Sequence, residues 1–249
     1  MSQSSRIKTG LAIACLVLLS ACATPEVTSG IYDPYEESNR KTHERNRKVD
    51  RNVLRPVAYE YGQNVPEPIR IGIGNFSDNL SLPKSIVNDI LQLQLDDAIH
   101  NSVRFLVNTT IGLAGVLDPG SKIGLEARDS DFGQTLHVWG FNEGAYLELP
   151  AFGPSTTRDA VGKGVDLFLN PLGYVVRKPE SYAMPVSGVL NRLGDRYRFG
   201  AMLDSVLYES ADSYAQTRLL YLENRRFQLS GGLQQNDEDL YEIYEESYE

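Results

Sequence analysis

Between positions 84 and 111 apolar residues return at steps of three and four. Ile86, Val87, Ile90, Leu91, Leu95, Ala98, Ile99, Val103, Leu106 and Val107 make one amphipathic stripe, the signature of helix with a single apolar face. Asp96 and Asp97 are suited to cap a fresh helix, so the pattern predicts two helices, over 84–94 and 97–111. The second runs into Phe105–Leu117, an apolar stretch whose small residues Gly112, Ala114 and Gly115 allow close backbone approach. As helix that stretch would measure about 20 Å, too short to cross a bilayer but able to lie in one leaflet or in a protein core. Residues 118–160 are punctuated by Pro119, Gly120, Gly133, Gly140, Gly144, Pro150, Gly153 and Pro154. Within them Leu136–Val138 and Tyr146–Leu149 alternate as short strands or extended loops do. Residues 196–228 predict a long helix with Leu203, Val206, Leu207, Ala211, Tyr214, Tyr221 and Leu222 near one face. No repeat of roughly 20–50 residues recurs, which excludes a solenoid.

The amino end has a different pattern. Arg6 and Lys8 precede a nine-residue apolar run, Leu11–Leu19, followed by Ser20-Ala21-Cys22. A run that short suits a signal peptide rather than a spanning helix. Its end looks like the lipobox of a bacterial lipoprotein, where small residues precede the cut and the Cys22 thiol takes a diacylglycerol. Residues 1–21 are then a leader and 22–32 a polar tether. The domain covers 33–229, and 230–249 form an acidic tail of disordered composition. Cys15 leaves with the leader and Cys22 is acylated, so no thiol remains for a disulfide or a metal. The position after the cysteine holds Ala23 rather than the Asp that retains many such proteins at the inner membrane, which favours the outer one.

Charge narrows the field further. The 249 residues carry a formal charge of −9, and removal of the leader makes it −11. An acidic chain is poorly suited to nucleic acid, whose phosphates need surplus Lys and Arg. Yet residues 40–55 hold seven basic side chains against Glu44 and Asp50. Two readings stand for that stretch: a solvated helix face, or contact with anionic headgroups, where each cation near the surface adds about 1 kcal/mol.

Catalytic settings are missing. His43, His100 and His137 form no His-Glu-x-x-His pair, and no Gly-x-Ser-x-Gly elbow occurs. Gly162-Lys163 lacks both the earlier Gly and the following Ser or Thr of a phosphate loop. No enzyme, metal or cofactor is expected.

Read together, the spaced residues resemble the MlaA (VacJ) family of outer-membrane phospholipid-transport lipoproteins. The likeness covers about residues 33–221. It begins at Asp33-Pro34-x-Glu36-x-x-Asn39-Arg40 and continues through Arg55-Pro-Val-Ala58, Val65-Pro66-x-Pro68-x-Arg70-x-Gly72 and Asn75-Phe76-x-x-Asn79-Leu80-x-x-Pro83. Val87-Asn88-x-x-Leu91-Gln92 and Arg104-Phe105-x-x-Asn108-Thr109-x-x-Gly112-x-x-Gly115-x-x-Asp118 come next. Phe132-Gly133-x-Thr135-Leu136-x-x-x-Gly140, Gly144-x-Tyr146-x-x-Leu149-Pro150-x-x-Gly153, Arg158-Asp159 and Asp212-x-Tyr214-x-x-x-Arg218-x-x-Tyr221 complete it. The sequence departs at Lys41–Lys48, where the family usually continues with aromatic and apolar residues.

The resemblance implies a mainly α, ring-like single domain of amphipathic helices lying in one membrane leaflet around an amphipathic channel, with a long C-terminal helix. It implies removal of mislocalised phospholipids from the outer leaflet, delivery to a soluble periplasmic carrier of the MlaC type, and association with outer-membrane porin trimers. A structural lipoprotein that braces porins without moving lipid is the alternative. Asn75, Phe76, Asn79, Leu80, Asn88, Arg104, Phe105, Asn108, Gly112 and Gly115 are the candidates for the lipid path. For the polar ones, helix capping and internal hydrogen bonding is the competing reading. Asp33, Asn39, Arg40, Gly133, Gly140, Tyr146, Pro150, Arg158 and Asp159 are candidates for structural roles, the Arg158–Asp159 pair as an ion pair or as a headgroup site. Trp139 fits either a membrane interface or a core.

Overall fold

The computed structural model describes residues 31–230. The leader, Cys22, most of the tether and the acidic tail therefore lie outside the described residues. Helix α1 (Glu36–Val49) opens with Glu36 and Glu37 and closes with Arg47 and Lys48, the order that complements a helix dipole. It passes through a π-helical turn, Asp50–Leu54, into α2 (Arg55–Asn64), where Pro56 coincides with the change of ladder. Helix α3 (Glu67–Leu91) begins after Pro66 and contains Pro83. That proline removes the bond to the Asn79 carbonyl, but Leu82, Pro83 and Ser85 are all enclosed, so packing carries the helix through the lost bond.

The helix expected over 84–94 is thus the last third of α3. The chain reverses at 92–94, where Leu93 takes a left-handed φ of 60°, and α4 (Leu95–Thr110) packs back against α3. Asp96 and Asp97 stand in the first turn of α4 rather than at its cap, which is Gln94; they act on the dipole, not by capping. Phe105–Leu117 is helical only to Thr110. Beyond it Leu113, Ala114 and Gly115 have φ of 54°, 61° and 94°, a run of left-handed residues that persists only when neighbours fix it.

A short α5 (Pro119–Lys122) leads to α6 (Phe132–Val138). Leu136–Val138, whose alternation suggested an extended segment, is the end of α6. Asp131 accepts the Gln134 N–H at 2.9 Å, and that cap outweighs three residues of alternation. Tyr146–Leu149 is a strand: β1, paired antiparallel with β2 (Gly153–Thr156), Tyr146 opposite Thr156 and Leu149 opposite Gly153. Helices α7 (Thr157–Leu169), α8 (Leu172–Val175) and α9 (Ala183–Arg198) come after it. The single helix expected over 196–228 is instead broken into the end of α9, α10 (Gly200–Asp204) with a second π turn at Ser205–Glu209, and α11 (Ser213–Leu229). Asp212 makes the last break by accepting the Ala215 N–H at 3.0 Å and starting a new helix.

Burial runs opposite to that of a water-soluble protein. Among the described residues eight apolar side chains are buried against twenty polar or charged ones. Helix α4 gives the pattern: Ala98, Asn101, Arg104 and Asn108 face inward, while Ile99 and Leu106 are 63% and 59% exposed. Exposed apolar residues recur on the other long helices, as Ile69 and Ile90 on α3, Leu167 and Phe168 on α7, and Leu219 and Phe227 on α11. Among the described residues no helix is long and apolar enough to cross a membrane.

Candidate functional site

A polar interior can stand only if its groups satisfy one another. Around the turn after α4, Asp118 accepts from Arg104 Nη2 at 2.9 Å, Asn108 Nδ2 at 2.9 Å and Ser121 Oγ at 2.6 Å. Burial pushes the Asp118 carboxyl up, but the bonds from Ser121, Asn108 and Arg104 outweigh it and hold the group below the usual carboxylate range. Asn108 Oδ1 in turn accepts the Gly120 N–H at 2.9 Å, and Arg104 donates also to the Leu125 carbonyl. From α3, Asn79 donates to Thr109 Oγ1 at 3.1 Å and to the Ala114 carbonyl at 3.4 Å, and Asn75 to the Val116 carbonyl at 3.2 Å. A Cβ on Gly115 would stand 2.4 Å from the Asn79 Cβ, and one on Gly112 would stand 2.4 Å from the Asn108 carbonyl oxygen. Six of the lipid-path candidates therefore converge on one task, pinning the left-handed turn. On that turn Ile111 and Leu113 are 69% and 67% exposed.

Asn88 belongs to a second cluster, between α3, α6 and α7. It is fully buried, donates to Asp166 Oδ1 at 3.0 Å and accepts from Thr135 Oγ1 at 2.9 Å. Gln92 links Thr135 and Ser130 at 2.9 and 2.8 Å. One turn away Asn101 donates to Asp89 Oδ2 and to the Arg128 carbonyl, both at 2.8 Å. Burial raises the Asp89 carboxyl above its ordinary value despite those bonds. Phe76 and Phe105 are half-buried, and the Leu80 carbonyl accepts from Asn170 at 2.9 Å.

The structural candidates tie the chain's ends together. Asn39 donates to Asp33 at 2.9 Å and to the Tyr146 carbonyl at 3.0 Å, and accepts the Glu148 N–H at 2.9 Å, so its amide mimics a third strand beside β1. Arg40 grips both Asp212 oxygens at 3.0 and 2.9 Å. Tyr146 is buried, with its hydroxyl on Glu148 at 2.7 Å. Pro150 lies in the hairpin turn, and Gly140 has φ 87° with open space beside it. A Cβ on Gly133 would stand 2.5 Å from Asp159 Oδ1. Arg158 Nε reaches Asp159 at 3.3 Å, but the stronger partners of Asp159 are Tyr221 at 2.6 Å and Arg225 at 3.1 Å. Arg158 is buried, its Nη2 has no partner among the described residues, and it borders a cavity of about 540 Å³ with His137, Glu143 and Arg226. Trp139 is half exposed and donates to the Leu91 carbonyl at 3.0 Å.

Three features escaped the sequence reading. Arg225 clamps Asp131 at 2.8 and 2.7 Å as well as Asp159. Asp50, where the first π turn begins, receives both arms of Arg196 at 2.8 and 2.9 Å and the Tyr208 hydroxyl of the second π turn at 2.6 Å. Asp78 on α3 is reached by water yet flanked by protein. Burial, with Asp129 and Asp195 on two other segments, pushes its carboxyl up to about 6. Three carboxylates thus face one another from α3, α9 and the segment before α6. The readable signal was the polar triplet Asn101, Arg104 and Asn108 at helical spacing. Among the described residues no group of His, Cys, Asp and Glu is placed to hold a metal.

The family model described as MlaA lipoprotein matches residues 31–228. The chain is 30% identical over 228 residues, 89% of it and 88% of the relative, to the Escherichia coli intermembrane phospholipid transport system lipoprotein MlaA. It is similar at 30% identity to the Haemophilus influenzae protein of the same name, covering 89% and 90% of the two chains, and at 35% to a Rickettsia bellii protein, over 76% of this chain and 73% of that one. A solved structure concerned with the structural basis for maintenance of bacterial outer membrane lipid asymmetry superposes with a TM-score of 0.65 and 31% identity, covering 79% of this chain and 98% of that one.

Proposed function

The chain belongs to the MlaA lipoprotein family, and from that premise we propose that it is an outer-membrane lipoprotein that clears misplaced phospholipid from the outer leaflet. It is acylated at Cys22, rests in the periplasmic leaflet beside porin trimers, and passes its cargo through a hydrated opening to a soluble carrier of the MlaC type. No covalent chemistry takes part. The observation that carries this reading is the reversed burial: apolar side chains outside and a hydrogen-bonded polar interior within. Such a body is matched to an apolar surround, and its polar groups are suited to hydrate a headgroup.

Energetics explain why a conduit is needed. A bare acyl chain of about fifteen methylenes, at about 0.8 kcal/mol for each CH₂, costs roughly 12 kcal/mol to expose to water. A path that shields the chains while solvating the headgroup removes most of that barrier. Deletion of the gene is expected to raise phospholipid at the cell surface, and unchanged surface lipid counts against transport. With the purified protein and headgroup-labelled phospholipid, intact lipid delivered to an acceptor supports passage. Cleaved lipid identifies a hydrolase, and no movement of lipid leaves a brace for porins.

A further inference from the structure

Resting on the membrane seat proposed above, we infer that the outward face of α1 is a docking strip for anionic phospholipid headgroups, with the segment after it dipping into the acyl region. Lys41, Arg45 and Lys48 share one line of the helix and are all exposed. The buried side of the same helix carries Asn39, Thr42, His43 and Asp50, so the cations point away from the polar interior. Among the described residues Arg45 bonds only locally, to the Lys41 carbonyl at 3.3 Å and the Thr42 hydroxyl at 3.3 Å. Lys48 approaches Glu44 at 4.0 Å, while Arg47 takes that carboxylate at 2.8 Å. Lys41 meets Glu37 at 2.6 Å, with both side chains mostly in solvent, a contact too screened to neutralise the strip.

The residues beyond the strip fix the partner as a lipid surface rather than an acidic protein. After Lys48 exposed apolar residues enter the segment, Val49, Val53, Leu54 and Val57, while the exposed Arg51 and Arg55 between them lie over the Tyr208 ring at 4.7 and 5.4 Å, Arg55 also on Asp204 at 2.6 Å. Arg45 and Val53 are eight residues apart, about 12 Å along a helix. A headgroup layer is roughly 5–8 Å thick on each side of the hydrocarbon, and Lys and Arg stems can bridge the remainder by snorkelling. Outward cations above and aliphatics below, with Arg51 and Arg55 taken up by Tyr208 and Asp204, match a phosphate layer over acyl chains.

The test uses the full acylated chain carrying Asn52→Cys with a fluorescent label, reconstituted in phosphatidylcholine vesicles. Quenching by spin-labelled phosphatidylglycerol is compared with quenching by spin-labelled phosphatidylcholine at equal mole fraction. The anionic quencher is expected to win at low salt, the preference falling about fivefold for each cation neutralised. Arg45→Gln with Lys48→Gln should then leave the two quenchers nearly equal, as should about 0.5 M salt, where the Debye length shrinks to a few ångströms. Equal quenching in the parent, or a preference that survives both the double variant and salt, overturns the docking strip but leaves the membrane seat standing. A label that neither lipid quenches overturns the strip and the membrane seat of this segment together, while lipid delivery by the same sample tests transport separately.

Discussion

Replacing Asn101 by leucine isolates the reversed burial in one side chain. Leucine is nearly the size of asparagine but cannot replace its hydrogen bonds, so the swap leaves their partners buried and unsatisfied. Here Asn101 is fully buried and holds the Asp89 carboxylate at 2.8 Å, the Arg128 carbonyl at 2.8 Å and the Arg128 N–H at 3.3 Å. A bond to a charged acceptor is worth about 1.5–3 kcal/mol and each neutral one about 1 kcal/mol. The gross loss is therefore roughly 4 kcal/mol, against about 1.5–3 kcal/mol regained by burying leucine. The expected net destabilisation is about 1–3 kcal/mol, read as a lower melting temperature in detergent micelles. The sign with pH comes from Asp89, whose folded carboxyl is already raised by burial and lowered in part by Asn101. A raised carboxylate contributes stability below its unfolded pKa and loses it as pH rises through the folded value. Loss of Asn101 raises the folded value further, so the deficit must be larger at pH 8 than at pH 4. Removing the partner as well, in Asn101→Leu with Asp89→Leu, should recover most of the loss, a coupling that a double-mutant cycle measures. A variant that melts at or above the parent at both pH values would refute the polar-interior reasoning.

Three further outcomes are expected. Cys22→Ala should leave the outer-membrane fraction on cell fractionation; normal retention would remove the lipid anchor from the account. Gly115→Ala places a Cβ 2.4 Å from that of Asn79 at a φ of 94°, and strain of about 1–3 kcal/mol should lower the melting temperature, whereas Gly140→Ala, also at positive φ but with open space beside it, should cost less. Asp78→Asn removes a carboxyl pushed up to about 6 by burial and by Asp129 and Asp195. The parent loses stability as pH rises from about 4 through 6, so the variant should gain on it across that window, and parallel pH profiles would contradict the crowding of carboxylates.

Helical faces were legible in the sequence; the side they present to the interior was not. Periodicity placed Ile90, Leu95, Ala98, Ile99, Val103 and Leu106 on one stripe, of which Ala98 turns inward and the others outward, and such a stripe serves a buried face in water as well as an outward face in lipid. Deciding between them needs the opposite stripe, where Asn101, Arg104 and Asn108 are too uniformly polar for a solvated surface free of lysine. Breaks were harder. Pro83 reads as a stop but packing carries α3 across it, whereas Asp212 reads as one more polar residue but starts α11. The two π turns left no pattern, because one extra residue per turn shifts the phase without altering composition. Asn79 and Asn108 were singled out for a lipid path on the strength of the family resemblance, and the contacts they make, to the Ala114 carbonyl and the Gly120 N–H, depend on a turn that no local signal foretold.

The clamp of Arg225 on Asp131 and Asp159 bears on how such a chain can vary over time. Asp159 and Arg225 are tolerable only in each other's company, so a lone exchange of either strands an enclosed charge, while Asp131 completes the clamp from the solvent-reached side. Leucine, isoleucine and valine on the outside answer to no individual partner and can trade places freely. Drift in this molecule should therefore be quick at its rim and proceed at its centre only by joint moves, the reverse of the habit of proteins that live in water.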